Sequence, residues 1–185
     1  SLARIIANET DSIFRELSAV NSGIKEIREC VEAAKKDLRN HAKKTIVFID
    51  EIHRYNKTQQ DALLPYLENG TFYLIGSTTE NPSFSIIPAL MSRVQLIFLK
   101  PVDNENILKI VRKGYKYLIE KYGKIELAPE TGDFIVKHAC GDVRIALNIV
   151  ENSYFASSFR NGHRVLTLEL LQELVQKRHV KYDIN

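Results

Sequence analysis

The sequence predicts an α/β fold in which a parallel sheet flanked by helices, over residues 1–100, is followed by an all-helical domain over residues 101–185. Up to residue 100, continuous apolar runs alternate with segments of helical periodicity, as strands and crossover helices of one parallel sheet do. After Pro101 only helical periodicity remains. The composition, with 44% hydrophobic and 26% charged residues, is that of an ordinary globular protein and excludes a disordered or low-complexity chain.

Four apolar runs predict the strands of this sheet. The run TIVFI at Thr45–Ile49 is rich in β-branched residues and does not alternate with polar ones, which is typical of a strand covered on both faces. Helices are predicted over 24–39 and 59–67, because apolar residues recur there every three or four positions. The other three predicted strands are FRELSAV at 14–20, FYLI at 72–75 and VQLIFL at 94–99.

The part of the chain after Pro101 is predicted to consist of helices alone. Glycine and proline residues separate its periodic segments and predict the turns between them. The predicted helices cover 104–122, 130–140, 142–159 and 167–178, with Gly123, Pro129, Gly141 and Gly162 as the separating residues.

Charge and cysteine content exclude some classes of protein and leave others open. Two cysteines, Cys30 and Cys140, do not form a disulfide framework or a metal-ligand pattern, and they are compatible with a reducing compartment. No apolar run approaches the roughly 18 residues of a membrane span, and the first residues lack the pattern of a signal peptide. The formal net charge of +3 is too small to identify a nucleic-acid partner. The basic clusters at 35–44 and 109–116 are either phosphate contacts or the solvated faces of helices.

Two adjacent carboxylates, Asp50 and Glu51, follow the central predicted strand directly. The carboxyl edge of a parallel sheet is where open α/β folds bind ligands. A carboxylate oxygen there suits Mg²⁺, which Asp50 would hold through water, and Glu51 would then orient an attacking water for phosphoryl transfer. The alternative is that two acidic residues simply end a strand.

The residues that follow resemble a known family. The stretch FIDEIHRYNKTQQDALLPYLENGTFYLIGSTTENPSFSIIPALMSR is similar to AAA+ ATPases of the clamp-loader branch, and most of all to the replication-associated recombination protein A (RarA/MgsA) and Werner-helicase-interacting protein family. The resemblance extends over essentially the whole chain. It implies an AAA+ P-loop-type sheet with a helical lid, and an ATPase that couples hydrolysis of ATP, with Mg²⁺, to replication-fork maintenance, recombination and repair.

The same resemblance implies roles for five residues. Asp50 and Glu51 resemble the Walker B pair, with Asp50 as the magnesium ligand. Thr79 resembles sensor 1, a polar group near the γ-phosphate. Arg93 resembles an arginine finger that enters a neighbouring subunit's site, and Arg144 resembles sensor 2 at the start of a lid helix. A guanidinium suits both of these tasks because it is permanently charged and binds phosphate oxygens bidentately.

Each of these residues also has an ordinary interpretation when it is taken alone. Thr79 is also compatible with a turn residue before Asn81, Arg93 with a cation at a helix end, and Arg144 with a solvated helix residue. His53, although it is close to the carboxylates in sequence, is assigned no catalytic role. The functional interpretation therefore depends on the order and spacing of the whole set.

The phosphate-binding loop of this family, GxxxxGK[ST], has no match in the chain. In the family that loop lies directly before residues similar to SLARIIA at 1–7, which is predicted to be helical. We therefore expect that a first strand and the loop precede Ser1 in the full protein, and that this chain alone does not hydrolyse ATP. The family also continues beyond residues similar to VQKRHVKYDIN into a helical domain that mediates tetramer formation.

The resemblance also implies partners and a location. An arginine finger requires a neighbour of the same kind, hence a homo-oligomer, and the family forms tetramers. DNA at a fork or at a junction of single and double strands is the implied substrate, and single-strand-binding or replisome proteins are possible partners. The implied location is the cytoplasm and nucleoid of a bacterium or the nucleus of a eukaryote, with no membrane partner.

Other functions within the same fold remain open. A clamp-loader subunit or a branch-migration motor is one alternative, although the stretches ENPSF and QQDALLP argue against it. The other is a non-hydrolysing scaffold or arginine-finger donor in a clamp-loader-like assembly. Glu51 and Thr79 speak against a scaffold, because a chain that never hydrolyses ATP has little chemical need for them.

Overall fold

The computed structural model describes residues 1–160 and 162–182 and divides the chain into two compact units, Ser1–Ile97 and a second that begins at Phe98. The first unit has a parallel sheet with helices, and the second is mainly helical, so the predicted fold class is confirmed. No helix in the described part of the chain combines the length and apolar character that crossing a membrane requires.

The first unit is built on a sheet of three parallel strands in the order β1-β2-β3. The central strand, β2, is buried from residue 45 to residue 49, so side chains on both of its faces are covered, and it has a paired strand on each edge. The elements are α1 (Leu2–Glu9), β1 (Ile13–Ser18), α2 (Ile24–His41), β2 (Thr45–Asp50), a 3₁₀ turn (Ile52–Arg54), α3 (Lys57–Asp61), α4 (Leu64–Glu68), β3 (Tyr73–Gly76), α5 (Pro82–Ser85) and α6 (Pro88–Met91).

Apolar packing and a few polar contacts hold the first unit together. The stripe Ile27, Val31 and Ala34 of α2 packs into one core with Val47 and Ile49 of β2. Beside this core, Asp37 of α2 accepts hydrogen bonds from the Arg15 guanidinium of β1, at 2.9 and 2.7 Å, and from the Thr45 hydroxyl of β2, at 3.3 Å. This partly buried network joins three elements, so it helps to hold α2 against the sheet.

A buried glutamine positions the short helices after β2. Gln60 is 1% exposed, and its amide donates to the carbonyls of Tyr55 and Ser85, both at 2.9 Å. Its carbonyl oxygen accepts the backbone N–H of Ile87, also at 2.9 Å. All of these contacts are to backbone groups, so Gln60 holds the segment that leads into α6 against α3.

The predicted strand at 94–99 is wrong. Residues 95–100 have no strand pairing, and the side chains of Ile97, Phe98 and Leu99 are 76%, 80% and 75% exposed. An apolar pattern reports a tendency to be buried, but a strand also needs a neighbouring strand edge for its backbone hydrogen bonds. No strand among the described residues lies beside this segment to supply one.

The second unit packs four helices around a core that contains Ile107, Ile135, Val150 and Tyr154, each of which is at most 1% exposed. It also contains a small sheet in the order β4-β6-β5, which the sequence analysis does not predict. The elements are α7 (Asn104–Tyr122), β4 (Ile125–Leu127), α8 (Thr131–Ala139), α9 (Val143–Ala156), β5 (Ser158–Arg160), β6 (His163–Leu166) and α10 (Leu168–Tyr182).

Candidate functional site

The candidate site begins where β2 ends. Asp50 is the last residue of β2 and is exposed, while residues 45–49 before it are buried. Ser77 directly follows the neighbouring parallel strand, and its hydroxyl donates to Asp50 Oδ1 at 2.5 Å. Backbone hydrogen bonds from Ser77 to Ile49 (3.0 Å) and from Ile52 to Ser77 (2.9 Å) tie the two strand ends together. The two segments therefore form one polar edge of the sheet.

Glu51 has an unusual backbone conformation. Its φ of +56° and ψ of +44° are left-handed, which costs a residue other than glycine about 1 kcal/mol or more. The bend turns the chain from β2 into the 3₁₀ turn. The carboxylate of Glu51 lies 3.2 Å from His53 Nε2 and 3.9 Å from Arg54 Nε, and its side chain is 32% exposed.

His53 links Glu51 to the segment that follows β3. Its side chain is only 8% exposed, and Nδ1 lies 2.9 Å from the hydroxyl of Thr78. Glu80 Oε1 is 3.7 Å from Nε2. Thr79, the predicted sensor 1 residue, lies next to Thr78, and its side chain makes no hydrogen bond to another residue in the part of the chain described by the structure. The structure thus brings Asp50, Glu51 and the Thr79 segment to one edge.

Arg93 lies elsewhere in the first unit, just after α6. One terminal nitrogen donates to the carbonyl of Ala89 at 2.7 Å and to the hydroxyl of Ser92 at 3.0 Å. The other forms an ion pair with Glu68 at the end of α4. The guanidinium therefore makes its hydrogen bonds at the end of its own helix and with Glu68, rather than with Asp50, Glu51 or Thr79.

Arg144 belongs to the second unit and is exposed in the first turn of α9. The carboxylate of Asp142 caps this helix by accepting the backbone N–H groups of Arg144 at 2.7 Å and Ile145 at 3.0 Å. The turn before the cap requires glycine at Gly141, because φ is +80° and a Cβ atom would lie 2.7 Å from Pro101 Cβ. Cap and turn together fix where Arg144 leaves the helix.

Three residues of the site were missed in the sequence analysis: His53, which was assigned no role, Ser77 and Thr78. The sequence contains part of the signal, because polar residues that directly follow neighbouring parallel strands meet at one sheet edge. Which side chains lie side by side depends on the register, and the structure pairs Ile49 with Gly76.

The oxygen atoms at this edge fit a hard cation. The Asp50 carboxylate and the Ser77 hydroxyl are ligands of the kind that Mg²⁺ prefers. The described residues contain no group of three or more histidine, cysteine or acidic side chains that could enclose a metal ion. Mg²⁺ usually keeps several waters and binds one or two carboxylates together with substrate phosphates.

Comparison with known proteins finds relatives that match nearly the whole chain. Residues 1–102 match the ATPase family associated with various cellular activities (AAA), and residues 120–185 match the AAA C-terminal domain. The replication-associated recombination protein A of Escherichia coli K12 is 42% identical over 99% of this chain and 41% of its own length. The ATPase WRNIP1 of Dictyostelium discoideum is 34% identical over 99% of this chain and 23% of its own length. The chain thus spans less than half the length of these curated relatives.

Solved structures with the same fold are more distant in sequence. The Thermotoga maritima RuvB Holliday junction branch migration motor superposes with a TM-score of 0.72 at 22% identity, over 95% of this chain and 56% of that one. A point variant of the same RuvB superposes with a TM-score of 0.74 at 20% identity, over 95% and 56%. These structures support the fold assignment.

Proposed function

Because the chain belongs to the AAA family of ATPases, in the group of the replication-associated recombination protein A and ATPase WRNIP1, we propose that it is part of an ATPase that acts in DNA replication and recombination. The adjacent carboxylates of Asp50 and Glu51, beside the segment 77–80 at the carboxyl edge of the sheet, support this proposal most directly. A pair of carboxylates at that edge, with Asp50 exposed and Glu51 half-buried, is suited to bind and hydrolyse a nucleotide.

At this edge each residue has a separate task. Asp50, together with the hydroxyl of Ser77, would hold Mg²⁺ directly or through water. The ion would supply charge neutralisation for the phosphates of a bound nucleotide. Glu51 orients the attacking water and accepts its proton, and Thr79 offers a hydroxyl toward the γ-phosphate.

The two arginines act on the phosphates from different chains. Arg93 stabilises the transition state in a neighbouring copy, which requires its guanidinium to exchange the Glu68 carboxylate for phosphate oxygens. Arg144 contacts the phosphates bound by its own chain and so reports the nucleotide state to the helical unit. The working protein is therefore a homo-oligomer, for which we propose a tetramer.

The remaining proposals concern the full-length protein. It acts on DNA at forks or at junctions of single and double strands, with single-strand-binding or replisome proteins as partners. It works in the cytoplasm and nucleoid of a bacterium or in the nucleus of a eukaryote. The isolated 185-residue chain does not hydrolyse ATP, because it has no GxxxxGK[ST] loop to hold the phosphates.

The Glu51→Gln variant of the full-length gene product tests the proposal. We expect ATP hydrolysis to fall roughly 10²-fold or more, since the amide cannot accept the proton, while the affinity for ATP stays within about threefold of wild type. The matched control is Glu29→Gln, which changes an exposed carboxylate on α2 that lies 3.9 Å from the ammonium group of Lys25. Steady-state hydrolysis and nucleotide binding are the measurements.

Two results would contradict the proposal. Unchanged hydrolysis in the Glu51 variant would remove Glu51 from the chemistry. A wild-type protein that binds DNA but hydrolyses no ATP would favour the alternative function, a non-hydrolysing scaffold or arginine-finger donor in a clamp-loader-like assembly.

A further inference from the structure

His53 occupies the centre of the polar edge and touches both segments that form it. Its ring nitrogens lie 2.9 Å from the Thr78 hydroxyl and 3.2 Å from the Glu51 carboxylate. The side chain is more than nine-tenths buried. An imidazole that is enclosed in this way and contacted at both nitrogens has a fixed ring orientation, unlike an exposed histidine.

The two ring nitrogens of His53 have different neighbours. Nδ1 is hydrogen-bonded with the Thr78 hydroxyl, which also accepts the backbone N–H of Glu80 at 3.0 Å. Nε2 lies 3.2 Å from the Glu51 carboxylate and 3.7 Å from the Glu80 carboxylate, as close charge contacts rather than aligned hydrogen bonds.

Few other groups restrain the carboxylate of Glu51. Among the described residues, Arg54 is its other cationic neighbour, at 3.9 Å, and the Arg54 side chain is 58% exposed. Side-chain pairs at that distance and exposure contribute little. The left-handed backbone of Glu51 determines the direction in which its side chain leaves the main chain. His53 is the buried neighbour of its carboxylate.

We propose that His53 is a positioning residue that holds the Glu51 carboxylate in register with the segment carrying Thr79. This inference rests on the proposed ATPase function, because it assigns a task only if Glu51 acts on the attacking water. The imidazole does not touch the nucleotide. It acts through Glu51, so its loss lowers the rate of the chemical step and leaves nucleotide binding in place.

Replacing His53 by asparagine or by glutamine tests the two contacts of its ring one at a time. An asparagine amide lies near the position of Nδ1 and keeps the Thr78 contact, whereas a glutamine amide reaches the position of Nε2 and keeps the Glu51 contact. In the full-length protein with ATP and Mg²⁺, we expect His53→Asn to lower kcat about tenfold or more and His53→Gln to stay within about threefold of wild type. KM for ATP changes less than about twofold in both.

Thr78 provides a second, independent pair of variants. Thr78→Val removes the hydroxyl that orients Nδ1 and lowers kcat about three- to tenfold, while Thr78→Ser keeps the hydroxyl and restores the rate. His41→Asn, a change of an exposed histidine at the end of α2, is the control. Thermal unfolding of every variant is recorded beside its kinetics, so that a folding defect is recognised.

Each outcome decides between positioning and a merely structural role. Equal losses of kcat in His53→Asn and His53→Gln would overturn the proposal, and so would an unchanged kcat in both. A loss of kcat that only follows a loss of thermal stability would also overturn it. Glu51→Gln is measured in parallel. If that variant still hydrolyses ATP, the proposed function itself has failed; if it is inactive while the His53 variants are normal, only the positioning role has failed.

Discussion

The segment 52–91 of the first unit and the helical core of the second unit are built from elements of very different length. Between residues 52 and 91 the first unit uses helices and a strand of three to five residues each, whereas α7 and α9 of the second unit have 19 and 14 residues. Elements that short are not stable by themselves and depend on contacts from distant parts of the chain. In this segment those contacts combine apolar packing, for example of Ile52 and Leu90, with polar contacts of Gln60, Ser77 and His53.

Most of the predicted site residues lie near the short elements of the first unit. The predicted site residues Asp50, Glu51 and Thr79 lie at or beyond strand ends, where the backbone leaves regular structure. The second unit has one predicted site residue, Arg144, on the first turn of a regular helix. We therefore expect changes in the short elements to affect activity more than stability, and changes in the long helices to do the opposite.

The largest expected effect distinguishes Arg93 of the first unit from Arg144 of the second. Arg93→Ala should lower ATP turnover about 10³-fold, because an arginine finger contributes about 10³–10⁵ in rate in other nucleotide hydrolases. Because we propose that Arg93 acts in a neighbouring copy, mixing this variant with Glu51→Gln protein should restore turnover. Arg144→Ala should also lower turnover, but mixing should not restore it, because the proposed role of Arg144 is in its own chain. Hydrolysis rates of the mixtures across a range of ratios provide the measurement.

Wild-type protein titrated with each inactive variant is the control for subunit exchange. If Arg93→Ala does not recover in mixtures that demonstrably exchange subunits, the role in trans is excluded. Recovery of Arg144→Ala in the same mixtures would remove the distinction between the arginines.

A second comparison sets apolar packing against polar contacts. Ile107→Ala empties a fully buried site in the helical unit and should lower the free energy of unfolding by about 2–5 kcal/mol, with little change in turnover per folded molecule.

Gln60→Met keeps the side-chain volume but leaves its three backbone partners unpaired, at a cost of about 1–3 kcal/mol. It also loosens the segment before Arg93, so turnover should fall as well.

Urea denaturation and steady-state kinetics on the same preparations distinguish these effects. Equal losses of turnover per folded molecule in both variants would show that the helical unit takes part in the chemistry as directly as the short elements do.

The smallest expected effect concerns Tyr115, a buried polar group of the helical unit. Burial raises the pKa of its hydroxyl to about 12, against the opposing hydrogen bond with Ser153 at 2.7 Å. A pKa that is higher in the folded protein stabilises it fully below pH 10 and loses that contribution as pH rises toward 12. From pH 10 to 11 the stability of wild type relative to Tyr115→Phe should fall by about 1 kcal/mol.

Urea midpoints of both proteins over this pH range provide the test, because ionisation of the other tyrosines is common to both. A constant difference between the two proteins would mean that the Tyr115 hydroxyl is not shielded from water. Activity at neutral pH should be the same in both.

The sequence predicts the long elements of this protein well. The helix predicted at 104–122 has the same bounds in the structure, and β2 differs from its prediction by one residue. In both cases the apolar pattern that predicts the element lies within the element's own sequence. The predicted strand at 94–99 is wrong, because its apolar pattern does not specify a pairing partner. Strands of three residues, such as β4 and β5, are too short to show a period.

The candidate site can be predicted only in part, and for a related reason. Asp50 and Glu51 stand out because they directly follow a buried run, and the roles of Thr79, Arg93 and Arg144 remain predictions from resemblance. The contact of His53 with Thr78 joins residues 25 positions apart. It depends on the register of two strands and on the left-handed bend at Glu51, and neither is visible as a local pattern.

That bend also bears on how this protein can evolve. A left-handed backbone is tolerated best by glycine and asparagine, so replacement of Glu51 by either would relieve the backbone strain at this position. Under the proposed function, selection for hydrolysis keeps a strained residue here. A relative with glycine or asparagine at position 51 would then be expected to lack hydrolysis.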